Sequence, residues 1–68
     1  MVTQVKNYRR RAGVKQEGLA KATGIGRSTI SEIENGELIP SVLIALKLAK
    51  YFHCRVEDLF SLHPGNRR

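Results

Sequence analysis

The 68-residue chain has no tryptophan, four aromatic residues in all, two prolines and a single cysteine. A lone thiol cannot close an intrachain disulfide, and Cys54 lies between His53 and Arg55 with no second cysteine at ligand spacing. It therefore reads as a small buried hydrophobe. His53 and His63 have no acidic or thiol cluster beside them, so no metal site is expected. Long apolar runs are also missing: none approaches the ~20 residues of a membrane span, and Met1-Val2-Thr3 lacks the apolar core of a secretory signal. A cytoplasmic protein with no membrane partner is expected. Acidic residues are few and dispersed, 6 against 12 Lys and Arg, so no pair of carboxylates is placed for acid–base catalysis. A chain this short buries only about 60% of its unfolded surface, which leaves little stability for a catalytic cavity. No enzyme, catalytic residue, cofactor or small-molecule ligand is expected.

What the chain does have is positive charge. The formal net charge is +6 and the pI near 10.1, a balance that suits a polyanionic partner. Charge alone leaves the choice open, because small domains also carry surplus lysine for solubility.

Gln16 to Gly36 carries more information. Ala20 is a small contact residue in mid-helix, and Gly24, four residues later, tolerates the positive φ of a sharp reversal. Ile25 fills the elbow, and Ile30 and Ile33 give the next helix an inward stripe. On a wheel at 100° per residue, Ser28, Ser31, Glu32 and Asn35 fall opposite those isoleucines, with Arg27 on the flank. That spacing predicts a helix-turn-helix, its helices over about 16–22 and 27–35, with Gly26 as an acceptable N-cap.

Around this unit, Val5, Tyr8 and Ala12 predict a first helix over about 4–11, ended by Gly13 and closed by the basic run Arg9-Arg10-Arg11, which complements the helix dipole. Gly18 inside helix two costs roughly 1 kcal/mol relative to alanine, with no local reason for it. Pro40-Ser41 opens helix four, whose inward stripe is expected to be Val42, Ala45, Leu46, Ala49 and Phe52. Leu43, Ile44, Leu48 and Tyr51 then lie outside it, so the helix is apolar around more than half its circumference. Two explanations stand: Leu48 completes the core and the others are scattered exposed residues, or Ile44, Leu48 and Tyr51, with Phe60 and Leu62, form a subunit interface. A short fifth helix follows over about 56–60, although Arg55 is a poor capping residue, and 61–68 is a tail. The expectation is all-α: a compact five-helix bundle in one domain, 1–68, with its core over about 4–60.

Taken in order, Lys15-Gln16-Glu17, Leu19-Ala20, Thr23-Gly24-Ile25, Arg27-Ser28-Thr29-Ile30-Ser31, Ile33-Glu34-Asn35-Gly36, Pro40-Ser41, Ala45-Leu46-Lys47-Leu48-Ala49 and Glu57-Asp58-Leu59-Phe60 resemble the Cro/phage-repressor family of helix-turn-helix DNA-binding proteins. The resemblance spans roughly residues 5 to 60. Each fragment is weak evidence alone; their order and distances together are specific.

The resemblance implies a lambda-repressor-like fold in which helix three enters the major groove of double-stranded DNA while helix two lies across the backbone. Gln16 matches a phosphate-holding position, and Arg27, Ser28 and Glu32 match base-reading positions. Arginine suits guanine O6 and N7, and glutamate suits cytosine N4; orienting Arg27 and repelling phosphates are equally open roles for Glu32. Thr29, Asn35 and the backbone after Gly36 match phosphate contacts, with Ser31 on the same outer face. Arg9 and Glu34 match a partly buried ion pair tying helix one to helix three. Some short relatives also pair an N-terminal with a C-terminal strand, which Val2, Val5 and Leu62 leave open here. The implied function is a transcriptional regulator, a repressor acting as a homodimer on two half-sites. The alternative is an antitoxin-like or bridging module that binds protein first and DNA second.

Overall fold

The computed structural model describes residues 2–62. Its elements are β1 (Val2–Thr3), α1 (Val5–Ala12), α2 (Gln16–Thr23), α3 (Arg27–Glu34), α4 (Val42–Phe52), α5 (Val56–Leu59) and β2 (Phe60–Ser61). Most of the expected tail, with His63, lies outside the described residues.

Local chemistry explains most boundaries. α1 stops where Gly13 turns left-handed, at φ 72°, and its N–H reaches back to the carbonyls of Arg9 and Arg10. α2 stops in the same way at Gly24, φ 76°, whose N–H donates to the Ala20 carbonyl at 2.8 Å. The Thr23 hydroxyl reinforces this turn, donating to the Leu19 carbonyl at 2.8 Å and accepting from the Ile25 N–H at 3.3 Å. Ser41 caps α4 by accepting from the Ile44 N–H at 3.2 Å. At α5 the cap runs the other way: the Arg55 N–H donates to Asp58 Oδ2 at 2.9 Å, the reciprocal half of a capping box, formed without a capping hydroxyl. α4 ends on His53, a non-glycine residue at φ 56°.

The core is built from Val5, Leu19, Ile25, Ile30, Ile33, Leu48, Ala49 and Leu59, with half-buried Tyr8, Val14, Ile44, Tyr51, Phe52 and Phe60 packed around it. The rotation of α4 differs from the stripe expected from sequence. Ala45, Leu48 and Ala49 face inward, whereas Val42 and Leu46 are exposed along with Leu43. Leu48, which the sequence left between the core and a subunit interface, is fully buried and completes the core. Lys47 and Lys50, three apart and both exposed, mark the outward side of α4, and Ala45, Leu48 and Ala49 lie opposite them on the wheel, a signal that the expected stripe did not use. On that inward side α4 packs against α1, α2 and α5, with small Ala45 and Ala49 flanking the large Leu48. Ile44, Tyr51 and Phe60, also expected at an interface, are half-buried against the core. The Tyr51 ring meets Phe52 edge-on with centroids 5.0 Å apart, and Phe52 meets Tyr8 at 5.7 Å. Leu62 is exposed.

The two ends of the described chain pair as an antiparallel ribbon, Val2 opposite Ser61 and Thr3 opposite Phe60. The Gln4 N–H extends the pairing by donating to the Leu59 carbonyl at 2.7 Å. The strand pairing left open by the sequence is therefore present, and it fastens the start of α1 beside the end of α5.

Candidate nucleic-acid interface

α2, its glycine turn and α3 form one rigid unit because their inner faces share Leu19, Ile25, Ile30 and Ile33, all buried. The outer face of α3 buries little. Arg27, Ser28, Glu32 and Asn35 are exposed, and Thr29 and Ser31 are half-buried at its edges. Gln16, at the start of α2, joins Arg27, Ser28, Ser31 and Glu32 around an open groove of about 400 Å³. Five of the seven residues expected at a DNA surface thus meet in one place. Thr29 and Asn35 lie elsewhere on α3 and at its end, outside that lining.

Neither helix N-terminus carries a side-chain cap: Lys15 and Gly26 precede α2 and α3 with extended backbone and no cap hydrogen bond. The first N–H groups of α2 and α3 are therefore not spent on a side-chain acceptor, and α3, unlike α2 with Glu17, has no acidic residue in its first turn to offset the positive end of its dipole. Both features favour an anion.

Behind the surface lies an ionic network. Arg9 Nε donates to Glu34 Oε2 at 2.6 Å and Arg9 Nη2 to Glu34 Oε1 at 3.2 Å, a bidentate pair with side chains 13% and 2% exposed. Arg9 Nη1 also donates to the Val14 carbonyl at 2.9 Å. This joins α1, the α1–α2 loop and the end of α3. Burial pushes the Glu34 carboxyl up, but hydrogen bonds from Arg9 and Gln16 and the charges of Arg9 and Lys6 outweigh it, and the group sits below its ordinary range. The hydrogen bond from Arg9 to Glu34 leads the causes that raise the guanidinium, against burial, which lowers it.

Sequence reasoning missed a third member of this network. Gln16 Nε2 donates to Glu34 Oε1 at 3.0 Å, which fixes the amide beside the groove and leaves its second N–H for another acceptor. No local pattern signals a bond between residues 18 apart in sequence. Leu43 was expected on an outward apolar side of helix four, but Ile39, Val42 and Leu46, exposed with it, were missed. Their signal was present in the charge-free run from Leu38 to Leu46.

Other chemistry is thin. Among the described residues, no group of three or more His, Cys, Asp or Glu side chains could hold a metal ion, and no helix is long and apolar enough to cross a membrane. Cys54 is half-buried, and burial, with Asp58 nearby, pushes its thiol up and away from the reactive thiolate.

Comparison with known proteins agrees with this geometry. The helix-turn-helix family profile matches residues 5–59. The chain is 42% identical over 66 residues to YgzD of Bacillus subtilis, covering 97% of this chain and all of that protein. It is 43% identical over 60 residues to a protein of Archaeoglobus fulgidus, covering 88% of this chain and 86% of the relative. A third, MJ0272 of Methanocaldococcus jannaschii, is also 43% identical over 60 residues, covering 88% and 91%. All three bear the name uncharacterized HTH-type transcriptional regulator. With a family match across almost the whole described chain and a polar α3 face beside two uncapped helix starts, the chain belongs to the helix-turn-helix family of DNA-binding transcriptional regulators, in the Cro/phage-repressor group, and not to a family of enzymes.

Proposed function

We propose that this protein is a sequence-specific repressor that binds double-stranded DNA as a twofold homodimer in the cytoplasm, with α3 in the major groove of each half-site. The observation that carries this reading is the α3 face itself: Arg27, Ser28, Ser31 and Glu32 stand around an open groove with Gln16 while Ile30 and Ile33 anchor the opposite face in the core. A polar helix face rigidly held and burying little suits insertion between the two walls of the groove.

Arg27 takes guanine through O6 and N7, Ser28 accepts several bases, and Glu32 accepts from cytosine N4. Gln16 gives its second N–H to a phosphate together with the start of α2, and Thr29 and Asn35 add backbone contacts that set register. One such unit reads too few base pairs to be selective, so two half-sites about one helical turn apart are needed. No cofactor or small-molecule ligand enters the reading.

The test is selection of bound sequences from a random duplex pool. The expected outcome is an enriched inverted repeat with guanine in each half. If no sequence is enriched over the input pool, the α3 face does not read bases and the reading fails.

A further inference from the structure

We infer that two copies of this chain join through the face formed by Ile39, Val42, Leu43 and Leu46, packed antiparallel about a twofold axis. This rests on the dimeric reading above and names the surface that reading requires. The face is exposed for want of anything to cover it in one copy: Ile39 and Val42 are each 76% exposed, Leu43 63% and Leu46 54%.

Area argues for a second copy as the occupant. Together with Leu38 these side chains present an apolar area on the order of 500 Å², at the upper end of what a monomer leaves in water. Two such faces apposed bury about 1,000 Å², which reaches the lower bound of a biological interface.

Self-complementarity argues for it as well. Val42, Leu43 and Leu46 fall in one seam within about 100° of the α4 wheel, exposed Ile39 precedes them in the loop, and the run from Leu38 to Leu46 carries no charge. An axis passing between Val42 and Leu43 sets Ile39 against Leu46 of the partner subunit and Val42 against the partner's Leu43. The seam is bracketed by opposite charges, Glu37 at one end and Lys47 at the other. The same antiparallel placement brings Glu37 beside Lys47 of the partner subunit, an attraction that helps two molecules of net charge +6 approach. An apolar hollow of about 210 Å³, lined by Pro40, Ala45, Val56 and Phe60, opens beside Val42 and offers a socket for a branched side chain across the axis.

The seam starts in the loop that follows α3, so the contact holds the two recognition helices at a fixed separation. Dimerisation and half-site spacing are then one property.

Sedimentation of the full chain tests this, with and without a duplex carrying the selected inverted repeat. The unmodified protein is expected to sediment as a dimer at tens of micromolar. Val42→Asp/Leu46→Asp, folded by circular dichroism because both positions are largely exposed, is expected to be monomeric and to bind the full site at least tenfold more weakly. Arg27→Ala is expected to remain dimeric while losing sequence preference. Glu37→Lys is expected to weaken the dimer, and Glu37→Lys/Lys47→Glu to restore it. If the unmodified protein is dimeric and Val42→Asp/Leu46→Asp is equally so, this face is not the interface, though the dimeric reading survives. If the unmodified protein stays monomeric with and without duplex, both fall and the seam serves a different protein.

Discussion

Glu34 Oε1 accepts from both Arg9 Nη2 and Gln16 Nε2, at 3.2 and 3.0 Å, so one buried carboxylate fastens α1 to α3 and also holds the side chain that opens α2 beside the groove. Stability and presentation of the DNA face therefore share a group.

Removing one partner strands the other. Glu34→Ala leaves Arg9 largely buried with only the Val14 carbonyl, and breaking a buried pair costs about 3–5 kcal/mol. Against a total stability of about 5–15 kcal/mol, that is severe. Chemical denaturation is expected to show a large fall in midpoint. An unchanged midpoint would mean that the pair contributes nothing.

Acid tests the same site. Because the folded Glu34 carboxyl lies below its ordinary range, its contribution is fully present above the unfolded value of about 4.3 and is lost as pH falls from there through the folded value. Stability of the natural protein is expected to fall more steeply below about pH 4.3 than that of Glu34→Gln, with parallel behaviour between pH 5.5 and 7. Parallel curves throughout would show that Glu34 does not carry the acid sensitivity.

Arg27→Ala and Gln16→Ala should separate base reading from phosphate holding. A bidentate guanine contact carries about 1–3 kcal/mol of discrimination, so Arg27→Ala is expected to weaken the preferred duplex and hardly touch a scrambled one. Gln16→Ala is expected to weaken both equally and to shallow the salt dependence, each lost phosphate contact removing about 0.9 from the slope of log K against log salt. Equal losses on both duplexes for Arg27→Ala would reduce it to a phosphate contact.

His53 ends α4 in the left-handed region at φ 56°, where a β-carbon costs roughly 1–2 kcal/mol that glycine avoids. His53→Gly is expected to stabilise the protein by about 1 kcal/mol, offset in part by the greater freedom of the unfolded chain, which corresponds to a rise in Tm of roughly 4–8 °C for a domain of this size. A fall in Tm would show that the imidazole makes contacts outweighing the strain.

Gly18 has a steric reason in the residue four before it, just ahead of its helix. A β-carbon there would lie 3.2 Å from Val14 Cγ1, and Val14 is held by Arg9 through its own carbonyl. Gly18→Ala is expected to gain less than the roughly 1 kcal/mol of helix propensity in the natural background and to recover it when Val14→Ala opens space. Equal effects in both backgrounds, read in a double-mutant cycle, would rule out the steric account.

The sequence by itself determined the punctuation and the reading face. Gly13, Gly24 and Ser41 act through their own backbone or the next turn, so their effect is local, and α3 alternates apolar and polar residues cleanly enough to show which side faces outward. Those features are enough to locate the groove lined by Arg27, Ser28, Ser31 and Glu32. Only the tertiary structure decided which apolar residues of α4 stay uncovered, the ribbon between Val2–Thr3 and Phe60–Ser61, and the bond from Gln16 to Glu34. The physical reason is the same in each case. Lys47 and Lys50 mark the outward side of α4 but not which apolar residues beside them are covered, which the packing of α1, α2 and α5 settles, and two-residue strands or a buried carboxylate gain a partner only when folding brings together residues far apart in the chain.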